Sequence, residues 1–296
     1  MSGDEFFEYV IRLPDDQLEA EAKTLIGFDQ RFERLRTDLL LLSDPDAVTN
    51  WGRQMYGAAP PICTLVDQRY PLFIFAGDVG TGKTAFAKAS AARAVRERRK
   101  EGNLFALSTR VRGEGRVGQA SSQINAAFDH VRESLGKAKL GFLLIDEADS
   151  LVTSRGEEHS HLEDKVAVNT IIQKVDDLRR HGGRLVAFLA TNRLDTIDAG
   201  VMRRAAAIER FERPNDTERL ALLTHDLEGL NLRSSTLTEL VQLTGAKNGT
   251  PAFTFSDLRT RFLPRVIAQA LPTGRKITDD DALVVARELV PSPVVK

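Results

Sequence analysis

Cysteine is almost missing from this chain: Cys63 stands alone among 296 residues. One thiol allows no intramolecular disulfide, and a cysteine-built zinc site lacks its partners. A reducing, cytoplasmic setting is the expectation. A charge of one sign is missing too. Lys and Arg total 41 against 42 Asp and Glu, for a formal net charge of −1. That balance gives no global pull toward nucleic acid or an anionic membrane, and leaves only a local basic patch open. Long apolar runs are also absent. The longest are about six residues, as in Leu140 to Ile145, where a membrane helix needs about 20. Met1 to Glu8 is acidic, with no basic stretch ahead of an apolar core, so no secretory leader is expected there. What remains is ordinary for a globular protein: 42% hydrophobic and 28% charged residues, too apolar for a disordered chain. The basic residues are mostly arginine, which suits bidentate phosphate or carboxylate contacts and equally reflects a GC-rich genome.

Residues 1–50 read mostly as helix. Pro14-Asp15-Asp16 offers a start signal, and Phe32, Leu35, Leu39 and Leu42 form an apolar stripe. Gly57 to Pro61 is a break. Beyond it the texture changes. Short apolar runs at Pro71–Ala76, Leu104–Leu107, Gly141–Ile145, Leu185–Ala190 and, weakly, Ala206–Phe211 read as strands. Helical stretches at Ala85–Lys100, Ile124–Leu135 and Asp164–Arg180 lie between them. Strands alternating with helices imply crossover connections and a parallel sheet buried on both faces. From Arg213-Pro214 onward only helices are expected.

The strongest motif is Gly77-Asp78-Val79-Gly80-Thr81-Gly82-Lys83-Thr84, which fits G-x4-G-K-[ST]. The glycines let the backbone curl with its N–H groups inward, and the loop feeds a helix N-terminus that favours phosphate. Lys83 then reaches the β- and γ-phosphates, and the Thr84 hydroxyl serves Mg2+. Downstream, the apolar run Phe142 to Ile145 ends in Asp146-Glu147. Alone, two acids after a strand usually begin a solvated loop. Paired with a phosphate loop upstream, they read as the acid that holds Mg2+ (Asp146) and the base that activates water (Glu147). Asn192, after the fourth strand, suits a contact to the γ-phosphate or the water; a capping asparagine is an equal alternative.

Four stretches together resemble an AAA+ ATPase: Ile145 to Leu151, Val168 to Asp176, Ala190-Thr191-Asn192, and Ile197-Asp198 with Met202-Arg203-Arg204. Within that family they look like the remodelling clade of katanin, spastin and the proteasomal ATPases. The resemblance spans about residues 24–290. It implies an α/β fold: a P-loop AAA+ domain with a parallel sheet flanked by helices, over 24–212, then a small all-helical lid, over 213–296. Residues 1–23 would be an N-terminal helical extension. It also implies ATP and Mg2+ as cofactors, a homohexameric ring, and Asn192 as sensor 1. An arginine would reach the neighbour's active site; Arg204 matches that position best, with Arg203 second. Ile26 and Gly27 fall where the family packs an Ile-Gly pair on the adenine.

More narrowly, Ala167 to His181 and Ile197 to Arg204 resemble the remodellers of HORMA-domain proteins known from the pachytene checkpoint. Short bacterial members act with a HORMA protein and a nucleotidyltransferase in anti-phage signalling, which makes a HORMA-domain protein the expected substrate. Two stretches depart from the pattern. The loop expected to grip substrate, Arg112 to Gly118, has no aromatic residue, so Arg116, Val117 and Gly118 are the candidates; a flexible surface loop is the alternative. The lid helix carries Ser256 where a sensor 2 arginine is usual, with Arg259 and Arg261 nearby. His159 and His161 read as a solvated loop rather than a metal site. Two other functions stay in view: a nucleic-acid or helicase loader, disfavoured by the charge balance and by little chain after the lid, and a nonhydrolysing nucleotide-gated scaffold, disfavoured by Glu147.

Overall fold

The computed structural model describes residues 6–43, 45–108, 119–136, 139–150, 162–179, 184–247 and 249–294. They form two compact units. One holds the described parts of Met1–Thr24, Phe28–Ala76 and Thr84–Arg210; the other holds Leu25–Gly27, Gly77–Lys83 and Phe211–Lys296.

The first unit is built on a six-stranded sheet. Its strands are β1 (Phe7–Leu13), β2 (Leu72–Gly77), β3 (Gly102–Leu107), β4 (Leu140–Ile145), β5 (Leu185–Thr191) and β6 (Ala205–Phe211), in the order β1-β3-β4-β5-β2-β6. The pairs β3–β4, β4–β5 and β5–β2 are parallel. Every residue of β4 and β5 is buried, as parallel strands covered on both faces require.

The period of two along β2 divides its side chains between two cores. Leu72, Ile74 and Ala76 join Leu143, Leu189, α6 (Gln119–Leu135, through Ile124, Phe128 and Val131) and α7 (Leu162–Arg179, through Val168, Ile171 and Val175). Phe73 and Phe75 take the opposite face with Phe142 and Phe188. Phe75 meets Phe86 of α5 (Lys83–Arg98) edge-on at 5.3 Å, and Phe86 meets Phe28 of α2 (Phe28–Ser43) at 5.5 Å. Each such pair contributes about 0.5–1.5 kcal/mol beyond its buried area.

One expectation is overturned. The stretch read as an N-terminal helical extension contains β1, which pairs antiparallel with β3 from Phe7↔Leu107 to Leu13↔Gly102. Phe7 and Leu13 are buried, while Glu8, Val10 and Arg12 are exposed. That alternation fits an edge strand with one covered face. It is stabilised by a partner 100 residues away in the chain at Phe7 against Leu107, which local helix signals do not register. Helices do follow: α1 (Asp16–Thr24), α2, α3 (Pro45–Tyr56) and α4 (Pro61–Leu65).

The second unit is helical apart from its short N-terminal pieces. α9 (Asp216–Asp226) opens with a capping box between Asn215 and Glu218, and α12 (Asp279–Glu288) with one between Thr278 and Asp281. Each box satisfies N–H groups that the first turn leaves free. These helices, α10 (Ser234–Leu243) and α11 (Leu263–Ala270), numbered after the short α8 (Ala199–Met202) of the first unit, bury a core around Leu222, Leu240, Phe253, Leu258, Phe262 and Ala282. Asp257 is almost wholly buried there. Burial alone would raise its pKa, but hydrogen bonds from the Ser292 hydroxyl, the Thr254 and Ser292 N–H groups and Arg261 outweigh it and bring the carboxyl to about 2.

Candidate active site

Register places the chemistry at one edge of the sheet. Ile145 pairs with Leu189 and Thr191 with Ala76, so the carboxyl ends of β4, β5 and β2 emerge side by side. Ligands of open α/β sheets bind at that edge. Directly after β4, the Thr84 hydroxyl donates to Asp146 Oδ2 at 2.7 Å. Asp146 Oδ1 accepts the N–H of Glu147 at 2.9 Å. Glu147 is exposed and sits at φ 48°, a left-handed conformation that a non-glycine residue holds at a cost and that clusters at functional sites.

Asn192 follows β5. Its N–H donates to Asp149 Oδ1 at 3.2 Å, and the Thr191 hydroxyl donates to the same oxygen at 3.0 Å. Thr191 Oγ1 in turn accepts the Arg193 N–H at 3.0 Å. One carboxylate therefore ties the turn after β4 to the turn after β5. This spacing role of Asp149 was not legible in the sequence, where it is simply the next acid after Asp146-Glu147.

Gly77–Lys83 of the phosphate loop fall in the second unit and Thr84 in the first. Lys83 Nζ donates to the carbonyls of Gly77 (2.9 Å) and Asp78 (2.8 Å), and the Thr81 hydroxyl donates to the Asp78 carbonyl at 2.7 Å. Gly80 needs to be glycine: its φ is +75°, and an added Cβ would lie 2.7 Å from Ser256 and 2.8 Å from Thr254. α5 begins at Lys83, so the loop leads into free helical N–H donors.

The two candidate arginines differ sharply. Arg204 clamps Asp176 with Nε and Nη2, the latter at 2.9 Å, donates from Nη1 to the Gly200 carbonyl at 3.0 Å, and stacks over Tyr70 at 5.4 Å. Its pKa is raised above the ordinary guanidinium value, chiefly by the hydrogen bonds to Asp176. Arg203 is exposed; its N–H caps the short helix before it on the Ala199 carbonyl, and among the described residues its side chain has no hydrogen bond or ion pair.

The family is settled by likeness to known proteins. The model of the ATPase family associated with various cellular activities (AAA) matches residues 73–213. A CD-NTase-associated protein 6 of Escherichia coli (strain KTE188) is 45% identical over 296 residues, covering 100% of this chain and 99% of that protein. This chain belongs to the Trip13-like CD-NTase-associated protein 6 family of AAA ATPases. Among solved structures, it is similar to a chain of the E. coli MS115-1 HORMA:CdnC:Trip13 complex, with 37% identity, a TM-score of 0.91, and 100% and 99% of the two chains covered. It is also similar to Rhizobiales Trip13, with 30% identity, a TM-score of 0.72, and 97% and 99% covered.

Membership of the AAA ATPases implies nucleotide binding, and the residues fit it. The loop glycines and Lys83 suit phosphate. Thr84 and Asp146, already 2.7 Å apart, are hard oxygen donors of the kind that would suit Mg2+ beside phosphates. Among the described residues no cluster of three or more His, Cys, Asp or Glu forms a separate metal cage, and no helix is long and apolar enough to cross a membrane.

Other expected AAA elements are distributed as follows. Ile26 packs against the helical core of the second unit, and Gly27 takes a φ of 75°. Both sensor 2 candidates are paired with acids: Arg259 with Asp226 through Nε (2.6 Å) and Nη2 (3.0 Å), and Arg261 with Asp257 at 2.7 Å. Arg213 also meets the phosphate loop, on Asp78, and no motif marks it. The pore-loop candidates Arg116, Val117 and Gly118, together with His159 and His161, lie outside the described residues.

Proposed function

We propose that this chain is an Mg-ATP hydrolase that works as a homohexameric ring and remodels a HORMA-domain protein by threading it through the pore, in anti-phage signalling beside a nucleotidyltransferase. The observation that carries the reading is the Thr84 to Asp146 hydrogen bond with Glu147 next in the chain. It joins the phosphate loop's last residue to the acid pair. The likeness to a chain solved in a HORMA:CdnC:Trip13 complex supports the partner.

In this reading Lys83 gives its ammonium to the β- and γ-phosphates, and Thr84 and Asp146 hold the metal. Bound Mg2+ supplies neutralisation of phosphate charge. Glu147 orients the attacking water and takes its proton, while Asn192, fixed through Asp149, faces the same edge. A guanidinium from the next subunit offsets charge developing on the transferred group. Arg203 suits that task because its own subunit does not engage it; Arg204, held by Asp176, is the support. Arg116, Val117 and Gly118 are proposed to grip the threaded protein, and Ile26 and Gly27 to pack on the adenine.

The test is Glu147→Gln in the full chain. The variant keeps Asp146 and binds Mg-ATP, but loses the base, so hydrolysis falls by about 10²–10⁴. The ring then accumulates with ATP bound and co-purifies a HORMA-domain protein in an ATP-dependent manner. If the trapped ring instead retains DNA with steep salt dependence and no protein, the remodelling reading fails and the loader reading replaces it.

A further inference from the structure

The phosphate loop carries an acid, Asp78, in a segment whose task is to bind anions. A carboxylate there opposes phosphate by like-charge repulsion, so its neighbours matter. Asp78 Oδ2 accepts Arg213 Nε at 2.7 Å and lies 2.6 Å from Nη2, and Oδ1 accepts the Val79 N–H at 2.8 Å. Both side chains are nearly buried, at 12% and 11% exposure. The remaining donors of the guanidinium go to main-chain carbonyls: Nη1 to Ala252 at 2.6 Å, Nη2 to Ser292 at 2.8 Å and Pro293 at 3.0 Å. Ser292 is itself fixed by Asp257, which accepts its N–H at 3.1 Å and its hydroxyl at 2.6 Å.

We infer that Arg213 is a positioning residue for nucleotide binding: held on the carbonyls of Ala252, Ser292 and Pro293, it sets its charge against Asp78 and cancels it. The planar fork suits this, because it spans a carboxylate and carbonyls on separate segments at once. With Arg213 in place the loop presents Lys83 and its N–H groups to phosphate with no net opposing charge from Asp78. Without it, a nearly buried carboxylate loses the Arg213 cation within the loop. The pair lies within the second unit, and the two residues are 135 apart in sequence. This inference rests on the reading of Gly77–Thr84 as the ATP site.

The experiment measures MgATP and ADP affinity of the full chain by fluorescence titration, with circular dichroism to confirm folding. Arg213→Ala should weaken both nucleotides by about tenfold or more, and the defect should shrink as salt rises and screens the repulsion. Asp78→Asn should bind as tightly as the natural chain or more tightly, since it removes the opposing charge and keeps the cation. The double variant should return to within about threefold of the natural chain. A strut without electrostatic role gives the opposite pattern: both single variants break the same pair, so both weaken binding, and the double variant does not recover. That outcome overturns the inference, as does an Arg213→Ala variant that is folded and binds normally. If the natural chain itself binds neither nucleotide, the reading of the ATP site fails instead.

Discussion

Asp149→Ala is the sharpest test of how the site is held. Asp149 Oδ1 accepts two donors, the Thr191 hydroxyl at 3.0 Å and the Asn192 N–H at 3.2 Å. Thr191 is completely buried, so its hydroxyl proton has no water to turn to. Hydrogen bonds to a charged group contribute about 1.5–3 kcal/mol each, and orphaned buried donors cost on the same scale. Two bonds sharing one oxygen are not fully additive, so the turn after β5 loses about 3 kcal/mol of its restraint. Asn192 then loses that restraint, and a displacement of about 1 Å near the chemistry costs roughly 100-fold in rate. Steady-state ATPase assays should therefore show kcat down by about two orders of magnitude, with nucleotide Kd within about threefold, because the phosphate-loop contacts of Lys83 are untouched. Asp149→Asn keeps an acceptor oxygen but not its charge. Charge-assisted bonds are about twice as strong as neutral ones, so it should lose roughly tenfold. A folded Asp149→Ala variant with kcat within threefold of the natural chain would refute the argument. So would a loss of affinity that fully accounts for the loss of rate.

Three further outcomes follow from charged groups. Arg203→Ala should bind ATP normally and lose roughly 10³-fold or more of hydrolysis, with part restored by mixing in Glu147→Gln subunits. Asp176→Asn, which releases Arg204, should resemble Arg204→Ala in both rate and thermal stability; if Arg203→Ala keeps over a tenth of the activity while Arg204→Ala is inactive, the trans group is Arg204. In the helical unit, the Asp257 carboxyl is depressed from 3.8 to about 2. A depressed carboxylate stabilises the fold fully above its unfolded pKa and loses that contribution as pH falls through 3.8 toward 2. The gap corresponds to about 2 kcal/mol. Urea unfolding between pH 6 and pH 2 should show the natural chain losing about that much more than Asp257→Asn; equal pH slopes would disprove the assignment.

Legibility varied with how local each feature is. The strand after the Gly57–Pro61 break, the phosphate loop and the helix behind it were readable because a glycine spacing and an apolar run each state a backbone conformation within a few residues. The same holds for β4 and its two acids. β1 was missed although Phe7, Tyr9, Ile11 and Leu13 alternate with Glu8, Val10 and Arg12. Nothing nearby shows that β3 offers a free edge to pair with, and Pro14-Asp15-Asp16 drew attention to the helix that follows.

Short motifs make legible the chemistry proposed for this chain: residues suited to bind phosphate, to hold a metal and to activate water, with the two arginines coming from the family resemblance. Tertiary structure decided which charges serve them. With 42 acids and 41 bases, the chain allows very many pairings, and composition cannot choose among them. Folding placed Asp149 against Thr191 and Asn192, Asp176 against Arg204, and Arg213 against Asp78. The physical reason is range. Backbone conformation is set over a few residues, whereas an ion pair forms wherever the packed elements bring two side chains within about 3 Å, however far apart they stand in the chain.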